Sequence, residues 1–208
     1  MSQVKKVDGR AEKSRITRAK VLDAAAELFV RDGYGATALQ DMAAAAGVAV
    51  QTIYYSFGNK QTVLKEVVDR TIAGDDEPVA TLDRPWFTQA LAAETAQQQL
   101  RAHIDGTTQV LARVAPIMKM LEAATAADAA IAELWPDSDP RLIIQTEAAQ
   151  SLLGKPGARQ DVTAEHATDI LYAVLSTELY LLLVANRGWT RERFAAWAYD
   201  ILEPQLCA

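Results

Sequence analysis

Apolar side chains recur at helical spacing along most of this chain, and strand-like alternation does not persist long enough to predict a sheet. Near the N-terminus, four of them fall on one helical face at i, i+3, i+4 and i+7: Leu22, Ala25, Ala26 and Phe29. Asp32-Gly33 follows, and glycine adopts the left-handed conformation that ends a helix at little cost. We therefore predict a first helix over about 14–31 and an all-α protein.

Glycines divide the next stretch into short helices. Thr37 and Gln40 have the spacing of a capping box, so a second helix is expected to start at Thr37. Its predicted inner face consists of four residues: Leu39, Met42, Ala43 and Ala46. Gly47 makes the turn into a third helix over about 50–57, with Ile53 inside. Two short helices joined in this way are typical of a helix-turn-helix, whose second helix enters the DNA major groove.

The remaining pattern predicts a larger helical body. A fourth helix is expected to end near Gly74, with five inner residues: Val63, Leu64, Val67, Val68 and Ile72. After a polar linker at 74–85, further helices are expected near 86–93, 95–114, 117–135, 141–153 and 163–186. A last helix starts at Thr190, and the total is about nine.

Charge is unevenly distributed along the chain. Residues 1–70 carry 11 Lys and Arg against 8 Asp and Glu, whereas residues 71–208 carry 10 against 19. The basic excess lies in the first twenty residues: Lys5, Lys6, Arg10, Lys13, Arg15, Arg18 and Lys20. A polyanion partner at that end would explain the asymmetry, and a solvated, disordered tail would explain it equally well.

Composition indicates a globular cytoplasmic protein. Half of the residues are apolar and 23% are charged, which argues against disorder. The first residues lack the apolar core of a secretory signal. The longest apolar run, within Ile170–Ala185, is interrupted by Glu178 and is too short to span a membrane. The single cysteine, Cys207, allows no internal disulfide and is expected to have no role at a frayed end.

Four motifs resemble the DNA-binding signature of the tetracycline-repressor (TetR) family: Gly33-Tyr34-x-x-Thr37, Asp41-Met42-Ala43, Ala46-Gly47-Val48 and Thr52-Ile53-Tyr54-Tyr55-x-Phe57-x-x-Lys60. The resemblance covers about 14–74. It implies a basic flexible arm at 1–13, a DNA-binding domain at 14–74 with its motif at about 37–57, and a helical regulatory and dimerisation domain at 75–208. It also implies a homodimer formed by the last two helices, and it names no cofactor.

Ten residues are predicted to contact DNA: Thr37, Gln40, Ala49, Val50, Gln51, Thr52, Tyr54, Tyr55, Ser56 and Lys60. Gln51 can pair with an adenine edge, and Val50 can meet a thymine methyl. Thr37 can cap a helix whose dipole faces a phosphate. Lys60 opposes the dipole of the helix that it opens, a cost that contact with a phosphate would offset.

The two adjacent tyrosines are expected to differ. Neighbouring side chains on a helix point about 100° apart, so one tyrosine should pack inward while the other reaches DNA. Ile53 and Phe57 occupy the core face, which favours Tyr54 for DNA. Compared with many family members, Gln40, Ala49 and Val50 replace residues better suited to bind phosphate, so the basic arm could compensate.

The body offers only weak site predictions. Seven residues could line a ligand pocket or be ordinary core: Trp86, Phe87, His103, Met118, Met120, Trp135 and Tyr172. Five are expected at a dimer interface: Tyr180, Leu182, Phe194, Trp197 and Ile201. His103 and His166 are too isolated to predict a metal site.

The favoured function is a DNA-binding regulator, a repressor released from a near-palindromic operator by an unknown small molecule, with no membrane partner. A helical enzyme is the first alternative, but two histidines and one terminal cysteine give it little support. A non-specific architectural DNA-binding protein is the second, and the acidic body argues against DNA wrapped over a broad surface.

Overall fold

A computed structural model describes the backbone of residues 2–74, 79–135 and 139–208, with the side chains of those ranges except 2–8 and 10. Within these ranges every regular element is a helix, which confirms the all-α prediction. Part of the predicted linker (75–78), Pro136 and the side chains of Lys5, Lys6 and Arg10 lie outside the described residues.

Four helices make up the N-terminal part: α1 (Ser2–Asp32), α2 (Leu39–Ala46), α3 (Val50–Phe57) and α4 (Lys60–Ala73). Helix α1 starts well before the predicted residue 14, so the segment expected as a flexible arm is helical. This segment contains no proline and a single glycine, Gly9, and therefore nothing in it stops the helix. Gly47 and Gly58 separate the short helices with φ of 66° and 78°, a conformation that favours glycine.

The first compact unit combines residues 1–76 with residues 116–136. Its core contains the stripes predicted for the first four helices, including the fully buried Phe29, Met42, Ile53 and Leu64. Four residues of the later segment pack into the same core: Ile117, Met120, Leu121 and Ala124. Ile72 was predicted to lie inside but is 37% exposed, because it lies near the end of α4.

The described residues after Gly74 form a short 3-10 turn (Thr81–Asp83), a π-helix (Leu181–Asn186) and seven α-helices: α5 (Pro85–Leu91), α6 (Ala96–Ala127), α7 (Ala129–Ala132), α8 (Pro140–Leu153), α9 (Ala164–Val174), α10 (Thr177–Tyr180) and α11 (Arg191–Leu206). The prolines that begin α5 and α8 occupy a first-turn position, where a missing N–H costs nothing. The second compact unit comprises residues 77–115 and 137–208.

Two predicted boundaries in this part were wrong. Pro116 was expected to separate two helices, yet it lies inside α6. Buried apolar residues before and after it, including Ala115 and Ile117, provide packing that outweighs a proline cost of about 3 kcal/mol. Conversely, the single helix expected over 163–186 is interrupted at Leu175, because the Ser176 hydroxyl accepts a hydrogen bond from the Leu179 amide and begins a new helix.

The C-terminal residues are docked rather than frayed, contrary to expectation. Cys207 is only 6% exposed and belongs to the core of the second unit. The Ala208 amide donates to the Gly157 carbonyl at 2.9 Å, and the Arg159 amide donates to the Leu206 carbonyl at 3.0 Å. This pairing holds the end of α11 against the 154–161 loop.

The buried thiol of Cys207 should be unreactive in the native protein. Burial raises its pKa from an ordinary value of 9.0 to about 11. A thiol reagent at pH 8 should therefore label the folded chain at least about 100-fold more slowly than the same chain in urea. The stability that this shift contributes is complete below about pH 9 and is lost as pH rises towards 11. Equal labelling rates would contradict the docked C-terminus.

Candidate nucleic-acid interface

Helix α3 has a buried side and a strongly exposed side. Ile53 and Phe57 lie in the core at 0% and 5% exposure, as predicted. Gln51, Tyr54 and Tyr55 lie at i, i+3 and i+4 on the opposite side. Tyr55 is 92% exposed and Tyr54 is 47% exposed, so the expectation that one tyrosine packs inward was wrong. In a helix of two turns, the two core residues already fill the inner side.

Arg18 of α1 anchors the end of α3. Its guanidinium donates to the Ser56 carbonyl at 2.7 Å and pairs with the Glu66 carboxylate of α4. It also lies 4.2 Å from the centre of the Phe57 ring. A cation at a helix C-terminus favours the dipole and satisfies a carbonyl that has no partner within the helix. Arg18 therefore joins three helices, although the sequence suggested only one of several basic residues near the N-terminus.

Lys60 is also held inside the protein. Its ammonium donates to the Tyr34 carbonyl at 2.8 Å and to the Thr37 carbonyl at 2.9 Å. It lies 4.1 Å from the centre of the Tyr34 ring, and burial lowers the pKa of this half-buried group. Lys60 thus fixes the loop between α1 and α2. Two of its three N–H donors are used, which leaves one for a phosphate.

Lys60→Met is expected to lower the free energy of unfolding by about 1–3 kcal/mol, because the Tyr34 and Thr37 carbonyls lose a charged donor. Lys65→Met is the matched control on the same helix. Lys65 is exposed and its ion pair with Asp69 is a surface pair, so its loss should change stability by less than about 0.5 kcal/mol. Urea denaturation of both variants without DNA measures the difference. Equal stabilities would mean that Lys60 does not hold the loop.

The start of α2 differs from the predicted capping box. Ala38 is the N-cap residue, and it contributes no side-chain hydrogen bond. The Asp41 carboxylate instead accepts from the Ala38 amide at 3.0 Å. Thr37 is only 2% exposed, and its hydroxyl donates to the Gly33 carbonyl at 2.8 Å. Thr37 therefore secures the loop before the helix, and its side chain is not directed at a phosphate.

The other predicted contacts remain predictions, although the structure places them on or beside the exposed side of the motif. Gln40 and Ala49 are exposed, at or near the starts of α2 and α3. Val50, Thr52 and Ser56 are half-buried, and Val50 packs against the core of the first unit.

Comparison with known proteins shows which family the N-terminal helices resemble. Residues 21–67 match the family model for bacterial regulatory proteins of the tetR family. The whole fold is similar to that of a TetR-family transcriptional regulator from Mesorhizobium loti, with a TM-score of 0.71 at 18% identity over 94% of this chain and 98% of that one. The N-terminal domain is that of the TetR family.

Two repressors are also similar to this chain. HTH-type transcriptional repressor ComR of Escherichia coli is 36% identical over 93 residues, which span 45% of this chain and 42% of ComR. The match thus covers less than half of that relative. NalD of Pseudomonas aeruginosa, the secondary repressor of the MexAB-OprM multidrug efflux pump, has a TM-score of 0.59 at 19% identity over 94% of this chain and 97% of that one.

The residues suggested for a ligand pocket do not form one cluster. Met120 lies in the core of the first unit, where Met118 and Trp135 pack against it. Tyr172 of α9 donates to the Asp139 carboxylate and accepts from Arg141 at 2.7 Å, so it holds the start of α8. Trp86, Phe87 and His103 do come together, with their ring centroids 5.5–6.2 Å apart.

The residues suggested for the dimer interface also divide into two sets. Tyr180 and Phe194 are 6% and 0% exposed within a single chain and contact each other at 5.1 Å between ring centroids. They are core residues, which corrects the prediction of direct interface contact. Leu182 and Ile201 are 49% and 39% exposed, and Trp197 is half-buried beside Phe194. Apolar surface on the π-helix and α11 is therefore available to a second chain.

One stretch, Ala164–Asn186, meets the length and composition of a membrane-spanning helix, with a mean hydropathy of 1.5. It is not a convincing span. The α-helix is interrupted at Leu175, and the following residues change from α-helix to π-helix. Leu171, Leu175 and Tyr180 point into the protein and are nearly inaccessible.

Proposed function

We propose that this protein is a sequence-specific DNA-binding transcriptional repressor that acts as a homodimer in the cytoplasm and leaves its operator when a small molecule binds. The observation that carries the proposal is the exposed surface of α3, where Gln51, Tyr54 and Tyr55 extend from a helix held on its other side by core packing and Arg18. Exposed aromatic residues on a two-turn helix have no structural benefit for an isolated chain.

Five of the predicted DNA contacts receive a role under this proposal. Gln51 reads a base edge, with an adenine as the best match to its amide. Tyr54 and Tyr55 contact the sugar-phosphate backbone through their hydroxyls and the bases through their rings. Gln40 at the start of α2 and the remaining N–H of Lys60 bind phosphates and fix the register of the helix on DNA. Asp41 is a repulsive charge near this position, which limits how closely a phosphate approaches α2.

Dimerisation would use the π-helix and α11, through Leu182, Trp197 and Ile201. A twofold dimer presents two copies of α3 to half-sites about 34–36 Å apart, and its symmetry requires a near-palindromic operator.

We retain a functional division into an arm at 1–13, a DNA-binding domain at 14–74 and a regulatory body at 75–208. Helix α6 contributes residues to both compact units, with the boundary at Pro116.

Repression, rather than activation, is supported by the similarity to ComR and NalD, which are both described as repressors. Release by an effector requires that the effector and operator weaken each other's binding by the same factor. A ligand whose affinity is identical with and without operator would therefore contradict the release mechanism.

The test is selection of bound fragments from a random DNA pool, followed by a footprint on the enriched site. The proposal predicts a near-palindrome with half-sites one helical turn apart. An architectural protein would instead protect random sequence as strongly as the enriched site. An enzyme is not favoured, because the family and fold are those of transcriptional regulators.

A further inference from the structure

Polar side chains on the buried face of α6 differ in whether their polar atoms have hydrogen-bond partners. Gln99, His103 and Thr107 follow one another at intervals of four residues on one face, and none is more than 8% exposed. Gln99 has partners on both amide atoms: Nε2 donates to the Ala148 carbonyl at 2.8 Å, and Oε1 accepts from Ser151 Oγ at 3.0 Å. A buried polar group that serves only the fold normally has such partners.

His103 and Thr107 differ from Gln99. His103 Nε2 lies 2.8 Å from Gln145 Oε1, and since an amide oxygen only accepts, Nε2 carries the proton. Nδ1 is then an acceptor. Among the residues that the structure describes, neither His103 Nδ1 nor Thr107 Oγ1 has a hydrogen-bond partner. Burial lowers the pKa of His103, so the ring is neutral. Two buried polar atoms one helical turn apart are therefore unpaired.

A flat aromatic side chain covers the helix between these two residues. The half-buried indole of Trp86 lies against Gly106, and a Cβ at that position would be only 2.1 Å from Trp86 Cε3. The indole is tilted by 32° from the His103 ring, with 6.2 Å between the ring centroids. Phe87 meets the same imidazole edge-on at 5.9 Å. Gly106 thus provides a platform without a side chain, on which a planar ring already lies.

We infer that this platform is the effector site of the regulator proposed above, and that its ligand is a planar, uncharged molecule of about two rings with a hydroxyl group. The ring replaces the Trp86 indole on Gly106. The ligand hydroxyl donates to His103 Nδ1 and accepts from the Thr107 hydroxyl, so both unpaired atoms gain a partner. Gln99 on this face of α6 and Gln145 on the adjacent α8 are buried and carry no charge, so they offer no counter-ion to a charged ligand.

Isothermal titration calorimetry of the DNA-free protein with 2-naphthol tests whether a planar, uncharged molecule with a hydroxyl group binds. One molecule should bind per chain. 2-Methoxynaphthalene has the same rings but no donor, and it should bind about 3–10-fold more weakly, the equivalent of one hydrogen bond. Failure of 2-naphthol to bind, or equal affinity for the two probes, would overturn the inference.

Three variants locate the binding. Thr107→Val keeps the shape of the side chain and should weaken 2-naphthol about 3–10-fold without lowering the melting temperature, since the lost hydroxyl has no partner. Thr108→Val is the matched control, because the equally buried Thr108 hydroxyl donates to the Asp105 carbonyl at 3.0 Å, and probe affinity should not change. Trp86→Ala should bind the probe at least as tightly, because no indole has to move. Equal losses in the two threonine variants would place the probe elsewhere.

Operator binding by the probe-free protein is measured separately, so the two proposals can fail independently. A protein that binds 2-naphthol as described but selects no DNA site would refute the proposed function and leave the ligand site standing. A protein that selects an operator but ignores the probe would refute only the ligand site.

Discussion

Gln51→Ala is expected to reduce the affinity of the dimer for its preferred operator by about 2–6 kcal/mol, and to relax the base preference at one position in each half-site. A base contact through an amide contributes about 1–3 kcal/mol, and a twofold operator contains two such contacts. Gln51 is exposed on α3, so its replacement should not change the free energy of unfolding. The measurement is a binding titration on the enriched operator and on the same operator with each base pair changed.

The matched control is Gln89→Ala, which removes an equally exposed glutamine from α5 in the second unit. It should leave operator affinity and base preference unchanged. If Gln51→Ala weakened binding to all sequences by the same factor, Gln51 would contact the DNA backbone and some other residue would read the base. A loss confined to one position per half-site would establish direct readout.

The double variant Leu182→Asp, Ile201→Asp is expected to dissociate the dimer while leaving each chain folded. Both side chains are strongly exposed in the single chain, so the carboxylates cost little in the monomer. In the dimer they would be buried without partners, which should raise the dissociation constant at least about 100-fold. Analytical ultracentrifugation measures the dimer, and circular dichroism verifies the helices. Operator affinity should fall to that of a single half-site.

Two comparisons make this prediction specific. Val30→Asp places the same charge at an exposed apolar position of α1, at 48% exposure, and should leave the dimer intact. Phe194→Ala, in contrast, removes a fully buried ring and should destabilise the chain itself by about 3–5 kcal/mol. A dimer that survived the double substitution would contradict the use of the π-helix and α11 as the interface.

The sequence predicted the DNA-binding helices closely because their signals are local. Glycines at 47 and 58 permit the positive φ with which the short helices end, and the spacing of Ile53 and Phe57 defines the buried side of α3. These features depend on residues within one or two turns. The recognition helix and its buried side could therefore be predicted before any tertiary contact was known.

Features that depend on distant partners were not predictable in this way. Arg18 looked like one of several basic residues near the N-terminus, and its partners Ser56 and Glu66 lie 38 and 48 residues away. Lys60 looked like a phosphate ligand, but the chain uses two of its donors internally. Apolar spacing also does not distinguish a side chain buried within one chain from one buried between two chains. Phe194 was for that reason assigned to the interface.

The anchor formed by Arg18 has an evolutionary consequence. Its contact with α3 is made through the Ser56 main-chain carbonyl and the Phe57 ring, and the core contact is made by Ile53. None of these contacts involves the outward side chains at 51, 54 and 55. Under the proposed function, descendants of this gene can therefore acquire new operator preferences by substitution at the outward positions alone, while the scaffold that presents them is inherited unchanged.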